Sequence, residues 1–167
     1  MTMKRVVREI VITVLLALLI FMAVRTVAHN FEVSGDSMEP SMHNGQFVMV
    51  SKMAYWFNGP ERGDIVVYYT ERLDHNVIHR VVGMPGETVE IVGGHLYING
   101  ESIEEPYILD GARSMPLAKV PEGHYYIVGD NRDQATWEIV PEDDIVGKAW
   151  FCYWPAGEWG FVPNYSL

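Results

Sequence analysis

Apolar and polar positions divide the chain into two unequal parts. Residues 10–24 (IVITVLLALLIFMAV) form one apolar run without a charge, and three basic residues, Lys4, Arg5 and Arg8, precede it. A run of this kind behind basic residues is typical of a membrane segment. After residue 30 no stretch keeps a helical period over three turns, so the remainder is expected to be organised differently.

Two interpretations of the N-terminal segment remain open at this point. The 15 charge-free residues are fewer than the roughly 20 that span a bilayer, but a snorkelling Arg25 and residues 26–28 extend them to about 19. The segment is either a membrane anchor with its positive end in the cytoplasm or a cleavable signal peptide with Thr26 and Ala28 at the cleavage site. Either way, residues 29–167 are expected to lie outside the cytoplasm as one domain, behind a basic N-terminus and membrane segment at 1–28.

Short runs of β-branched and aromatic residues dominate the rest of the chain. They occupy residues 47–50, 65–69, 77–82, 88–92, 95–98, 125–128 and 145–153. Turn signals such as Asn44-Gly45, Pro85-Gly86 and Asn99-Gly100 separate them. Several short strands in one domain predict a mainly β, antiparallel fold built on a folded or barrel-like sheet. Residues 94–122 are richer in Pro, Glu and Gly and are expected to form a smaller β excursion from that sheet.

Charge excludes one class of partner. From residue 29 onward the chain has eight basic and 21 acidic residues, a net charge of −13. A domain this acidic lacks the basic footprint that binding to a nucleic-acid backbone requires. We expect a solvated acidic surface and no nucleic-acid partner.

Cysteine and histidine usage predicts neither a disulfide nor a metal or other cofactor. Cys152 is the single cysteine, and aromatic neighbours on both sides make it a buried strand residue. A reactive thiol needs electropositive, partly exposed surroundings, which this position does not offer. The six histidines form no pair with the spacing of metal ligands.

The stretch at residues 33–42 (VSGDSMEPSM) contains the candidate chemistry. Ser37 lies in a turn-prone run of Gly, Asp and Pro, and most serines in such loops are only solvated hydroxyls. The stretch alone therefore does not indicate a nucleophile. It gains meaning from segments that follow it in a fixed order.

In that order the chain resembles the type I signal peptidases of bacteria, membrane-anchored serine proteases that remove signal peptides from exported proteins. Residues 35–42 (GDSMEPSM) are similar to the nucleophile motif G-x-S-M-x-P-T-L of that family. The later segments that carry the resemblance are RGDIVVY at 62–68, IHRVVGMPGE at 78–87, LYING at 96–100, VGDNR at 128–132 and VGKA at 146–149. Several segments in register behind an apolar N-terminus make the resemblance specific.

Two departures from the family pattern stand out. The family usually has a lysine base directly before the Arg-Val-Val-Gly run, and this chain has His79 there. After VGDNR the family continues with a serine, an aspartate and an arginine, at positions where this chain has Ala135, Trp137 and Ile139. A histidine is mostly neutral at pH 7 without strong desolvation, and it would not need a serine that orients a lysine amine. One cause therefore accounts for both departures.

The resemblance implies a single-pass membrane serine endopeptidase that cuts exported preproteins outside the cytoplasm, with Ser37 as nucleophile and His79 as general base. A histidine base needs an acceptor for its second ring N–H, and Asp130 or Asp133 is expected to supply it. Asp130 has an equally weighted structural interpretation as a turn residue.

The resemblance also implies an oxyanion hole and a substrate pocket. The oxyanion is expected to be bound by the backbone at Ser37 and Gly35. Met38, Val33 and Ile78 are expected to form the pocket for the small residue before the cut. The alternatives are an inactive, membrane-tethered relative that binds signal peptides or assembles secretion machinery, and a peptidase specialised for one substrate class.

Overall fold

The computed structural model describes residues 3–108, 111 and 113–165 as one α-helix followed by two sheets. Short 3₁₀ helices lie at Lys52–Tyr55, Glu142–Asp144 and Ala156–Glu158. Helix α1 spans Met3–Val27. The strands are β1 (Ala28–Glu32), β2 (Phe47–Ser51), β3 (Ile65–Thr70), β4 (His75–Gly83), β5 (Thr88–Val92), β6 (His95–Ile98), β7 (Glu101–Ile103), β8 (Met115–Lys119), β9 (His124–Val128), β10 (Trp137–Pro141), β11 (Ile145–Trp154) and β12 (Gly160–Phe161).

Helix α1 contains the apolar run that opens the chain, and its described side chains from residue 5 to 19 are exposed. Across the described part of the chain, no helix combines the length and hydropathy required to cross a bilayer. The predicted anchor is therefore not confirmed.

The main sheet has the strand order β1-β2-β11-β3-β4-β9-β10, and β12 pairs with β11. All its pairs are antiparallel, so the predicted mainly β, antiparallel fold is confirmed. Each of the seven predicted runs lies within a strand. The five strands that the sequence did not indicate have only two or three residues or are interrupted by polar residues or proline, as in Met-Pro-Leu-Ala-Lys of β8.

The main sheet is covered on both faces and curls over itself. In β3, Ile65 and Val67 belong to one buried cluster, whereas Val66 and Tyr68 belong to another on the opposite face. Two strands separate β3 from β10 in the sheet order, yet the Thr70 hydroxyl donates to Glu138 Oε1 at 3.1 Å. Flat strands so arranged would lie about 14 Å apart, so the curvature matches the expected folded sheet.

The smaller sheet has the order β7-β6-β5-β8 and begins at Thr88. The sequence placed the start of this excursion at residue 94. The difference arises because β5 pairs with β6 across the tight Gly93-Gly94 turn rather than with the main sheet. Arg132 joins the excursion to the main domain, since its buried guanidinium donates to Gly94 O at 3.2 Å and binds Glu105.

A fully buried ion pair fixes β4 to the turn after β9. Arg80 Nε donates to Asp130 Oδ1 at 2.8 Å, and Nη2 donates to Oδ2 at 2.7 Å. The relative exposure of the two side chains is 0% and 1%. Arg80 also donates to Gly63 O at 2.7 Å and stacks its guanidinium 4.0 Å from the Tyr107 ring centroid. This planar, bidentate arrangement is one that lysine does not reproduce.

We predict that Asp130→Asn strongly destabilises the fold, because it leaves the Arg80 guanidinium buried without its counter-charge. The expected loss in the free energy of unfolding is about 3–5 kcal/mol, measured by urea denaturation at neutral pH. The matched control is Asp143→Asn at an exposed position, for which the change is expected within about 0.5 kcal/mol. Equal stability of the two variants would contradict a structural role for the pair.

Candidate active site

The loop from Val33 to Gln46 holds Ser37 in place by closing on itself. The Val33 N–H donates to Gln46 O and the Gly45 N–H donates to Val33 O, each at 2.8 Å. Val33, Met38 and Met42 are buried in the cluster beneath the loop. Ser37 stays half-buried at the surface of this anchored loop, which is the exposure a nucleophile needs.

Strand β4 brings His79 to Ser37. His79 pairs in register with Val66 on β3 and is buried at 2% relative exposure. Its Nε2 atom lies 3.0 Å from Ser37 Oγ. The sequence singled out both residues, and the structure brings them within hydrogen-bonding distance although 42 positions separate them. Such a contact between a hydroxyl and an imidazole is the arrangement that activates a nucleophile.

The turn after β9 packs closely against Ser37 and His79, and this close packing requires a glycine at position 129. A Cβ atom on Gly129 would lie 2.4 Å from the Ser37 carbonyl oxygen and 3.2 Å from His79 Cδ2. Asn131 then holds the loop from the other side, because its N–H donates to Ser37 O at 2.9 Å and its amide donates to Asp36 O at 3.0 Å. The VGDNR segment at 128–132 therefore sets the positions of Ser37 and His79 in addition to forming a turn of the fold.

The second nitrogen of the His79 ring contacts Tyr68 instead of a carboxylate. The Tyr68 hydroxyl oxygen lies 3.1 Å from His79 Nδ1, and both groups are buried. Asp130, one of the two acids expected here, has both oxygens bound to Arg80. Asp133, the other, is exposed in the turn that follows. Sequence reasoning missed Tyr68, since a tyrosine within an apolar strand reads as an ordinary core residue.

Burial makes His79 a neutral base. Desolvation, followed by the nearby positive charge of Arg72, lowers the pKa of His79 to about 4. The ring is therefore uncharged at neutral pH, and one of its two nitrogens is able to accept a proton. Among the described residues, the ring nitrogens contact the Tyr68 and Ser37 hydroxyls and no carboxylate, so the imidazolium formed during a reaction would need support from further away.

The two expected oxyanion donors differ in availability. The Gly35 N–H donates to Asn44 Oδ1 at 3.0 Å and is therefore occupied by its own loop. The Ser37 N–H makes no hydrogen bond within the described residues. Only the Ser37 donor is left for an anionic oxygen.

A groove of about 210 Å³ runs along one side of Ser37. It lies between the end of β1 with the loop after it and the start of β4, and its lining includes Phe31, Ser34, Ser37, Asn76 and Ile78. Of the three residues expected to form the pocket, Ile78 lines this groove, whereas Val33 and Met38 lie in the buried cluster that also contains Ile78.

Comparison with known proteins gives consistent matches. The family model described as signal peptidase, peptidase S26, matches residues 3–154. A signal peptidase I of Leptolyngbya laminosa is 37% identical over 174 residues, covering 92% of this chain and 84% of the relative. A signal peptidase IB of Staphylococcus aureus is 31% identical over 188 residues, covering 98% and 97%. The crystal structure of a signal peptidase I from Enterococcus faecalis is 29% identical with a TM-score of 0.48, covering 53% of this chain and 95% of that one.

We predict that Gly129→Ala pushes Ser37 and His79 apart, because the added methyl group overlaps the Ser37 carbonyl. Overpacking of this kind costs about 1–3 kcal/mol, seen as a lower melting temperature. A crystal structure of the variant is expected to show Ser37 Oγ beyond hydrogen-bonding distance of His79 Nε2.

Gly157→Ala is the matched control, since no atom lies within 4 Å of a Cβ at that position. Its melting temperature is expected to stay at the wild-type value. A Gly129→Ala variant that keeps both the wild-type melting temperature and the 3.0 Å contact would show that the turn does not set the geometry.

Proposed function

Because this chain belongs to the signal peptidase family, peptidase S26, and so is a serine peptidase that removes signal peptides from preproteins, we propose that Ser37 is its nucleophile and His79 its general base. The observation that supports this assignment is the 3.0 Å contact between Ser37 Oγ and a buried, neutral imidazole. A serine hydroxyl is a weak nucleophile until an adjacent base takes its proton.

The proposed reaction has two steps. Ser37 Oγ attacks the carbonyl carbon of the scissile peptide bond while its proton moves to His79 Nε2. The C–N bond then breaks, the proton passes from His79 to the leaving amine, and an acyl group remains on Ser37. A water molecule, deprotonated by the same ring, releases the acyl group and restores the serine.

The described lysines support histidine as the base. Lys52 and Lys119 are exposed, and Lys148 binds Asp64 on the far side of β3. A base must lie next to the hydroxyl that it activates, and it is His79 that lies 3.0 Å from Ser37 Oγ. Replacement of the usual lysine by histidine is thus compatible with catalysis.

The backbone N–H of Ser37 is the proposed oxyanion donor. A donor of this kind aimed at the developing charge contributes about 2.7–4 kcal/mol in serine peptidases. Binding of the substrate along the groove beside Ile78 would direct its carbonyl oxygen toward that N–H. Ile78, with Met38 and Val33 behind it, would then contact the small side chain before the cut.

We predict that Ser37→Ala and His79→Ala each abolish preprotein cleavage by the full-length protein in detergent, because each removes one half of the activated pair. Loss of an entire nucleophile–base unit costs on the order of 10⁶ in kcat in serine peptidases. Ser102→Ala, at an exposed serine on β7 of the smaller sheet, is the matched control and is expected to stay within a few-fold of wild type.

The dependence of kcat/KM on pH tests the base in the same assay. Activity requires neutral His79, so kcat/KM is expected to be level at neutral pH and to fall as pH drops through the pKa of about 4. A fully active His79→Ala variant would mean that another group is the base. A wild-type protein inactive at every pH would favour the inactive, signal-peptide-binding relative.

We propose further that α1 anchors the protein in the cell membrane, with the N-terminus in the cytoplasm and residues 29–167 outside it. The apolar run at 10–24 and the basic residues before it support this topology. Exposed aromatic side chains support contact of the catalytic domain with the lipid surface, since Phe57 is 92% exposed and Trp56 is 65% exposed. Tyr55, which precedes these two residues, is not expected to contact lipid, because its hydroxyl donates to Asp64 within the domain.

We predict that alkaline carbonate leaves the full-length protein in the membrane pellet, since an inserted helix resists extraction. The double variant Leu15→Arg/Leu16→Arg should be released, because each arginine at a helix centre adds about 2.5–3.5 kcal/mol to the cost of insertion. Leu117→Arg, at an exposed leucine on β8, is the control and should stay in the pellet. Release of the wild-type protein would rule out an inserted anchor.

A further inference from the structure

The contact between His79 and Tyr68 permits two arrangements of protons, and only one supports catalysis. If the Tyr68 hydroxyl donates to Nδ1, the ring proton lies on Nε2 and faces Ser37, so the ring is unable to accept the Ser37 proton. If Nδ1–H donates to the Tyr68 oxygen, Nε2 is free to act as a base. In that second arrangement the Tyr68 proton needs an acceptor of its own, because a buried donor without a partner costs about 1–3 kcal/mol.

Glu138 on β10 offers that acceptor. Its Oε1 atom accepts a hydrogen bond from Thr70 at 3.1 Å. Its Oε2 atom is buried and, among the described residues, is the one buried side-chain oxygen or nitrogen without a hydrogen-bond partner. Buried carboxylate oxygens are normally satisfied, so an unpaired one calls for a physical explanation, such as a bridging water or a functional role.

Two charged groups act on Tyr68, and only one of them is an acceptor. Burial and then the negative charge of Glu138 raise the pKa of Tyr68, whereas Arg72 opposes this effect. Arg72 is exposed, donates to Thr136 at 3.2 Å and also acts on His79 as a positive charge. Asp130 is excluded because Arg80 binds both of its oxygens.

We propose that Tyr68 and Glu138 are positioning residues for the general base. Glu138 Oε2, which makes no direct hydrogen bond to Tyr68, accepts the Tyr68 O–H through one bridging water molecule. The Tyr68 oxygen then accepts the Nδ1–H of His79. This inference rests on the proposed Ser37–His79 chemistry and deepens it. No proton leaves Tyr68, and no bond forms or breaks in this chain of contacts.

Two consequences follow for the reaction. The ring is held in the tautomer that leaves Nε2 free toward Ser37. When His79 takes the Ser37 proton, the negative charge of Glu138 stabilises the imidazolium through the polarised hydroxyl. Tyr68 and Glu138 together thereby substitute for the carboxylate that usually contacts a catalytic histidine.

The decisive variant is Glu138→Gln, which keeps the shape and reverses the polarity at the unpaired position. With Thr70 still donating to the amide oxygen, the amide nitrogen donates to the bridging water, which in turn donates to the Tyr68 oxygen. The Tyr68 proton is then directed to His79 Nδ1, which forces the unproductive tautomer. We expect kcat for preprotein cleavage to fall about 100-fold, with KM within about threefold of wild type.

The ring tautomer supplies a readout that a merely structural role would not change. Long-range ¹H–¹⁵N spectra of the full-length wild-type protein in detergent should place the His79 proton on Nδ1, and those of Glu138→Gln should place it on Nε2. Tyr68→Phe should also lower kcat, because it leaves Nδ1–H without an acceptor. The controls are Tyr69→Phe and Glu71→Gln, at neighbouring exposed positions, which should retain wild-type kcat and tautomer.

Several results would overturn the proposal. A wild-type proton on Nε2 contradicts it whether or not any variant folds. A folded Glu138→Gln protein with wild-type kcat contradicts the role of Glu138 even if Tyr68→Phe is impaired. These failures differ from a failure of the proposed function, in which His79→Ala itself would remain active.

Discussion

The buried pair of Arg80 and Asp130 is the interaction on which the geometry of the site depends. Arg80 directly follows His79 on β4, and Asp130 directly follows Gly129 in the turn that touches Ser37. Arg80 also donates to Ser41 in the nucleophile loop at 3.3 Å. One guanidinium therefore ties together the strand that bears the base, the turn that limits the space and the loop that bears the nucleophile. Breaking a buried pair of this kind is far more costly than losing an exposed one.

The reactivity of the site comes from where the fold places two ordinary side chains. Ser37 and His79 are each unremarkable in water, and their chemistry arises because β4 buries the ring while the loop leaves the hydroxyl half-exposed. Burial that lowers the pKa of His79 keeps the base neutral, but it also makes the imidazolium harder to form. The proposed link from His79 through Tyr68 to Glu138 would offset that cost. It would take the place of the aspartate that contacts the histidine in many serine peptidases.

Sequence reasoning reached Ser37 and His79 because both lie in motifs whose residues are consecutive. It also found the strands whose β-branched residues cluster, such as those at 65–69 and 88–92. It did not reach Tyr68 or Glu138, since their significance comes from the curl of the sheet, which brings β3 and β10 together across two intervening strands. Asp130 was ambiguous for the same reason: its partner Arg80 lies 50 positions away, and no local pattern distinguishes a paired acid from an orienting one.

The most direct test of the Ser37–His79 assignment is to trap the acyl group on the enzyme. Full-length protein would be mixed with an ester of a signal-peptide segment, quenched in acid and mapped by peptide mass spectrometry, because an ester acylates quickly and lets the intermediate accumulate. The account predicts an adduct of the acyl mass on the peptide that contains Ser37 in wild type, and no adduct at that position in His79→Ala. Cleavage of the ester by wild type without any adduct on Ser37, or an adduct on another residue, would contradict it.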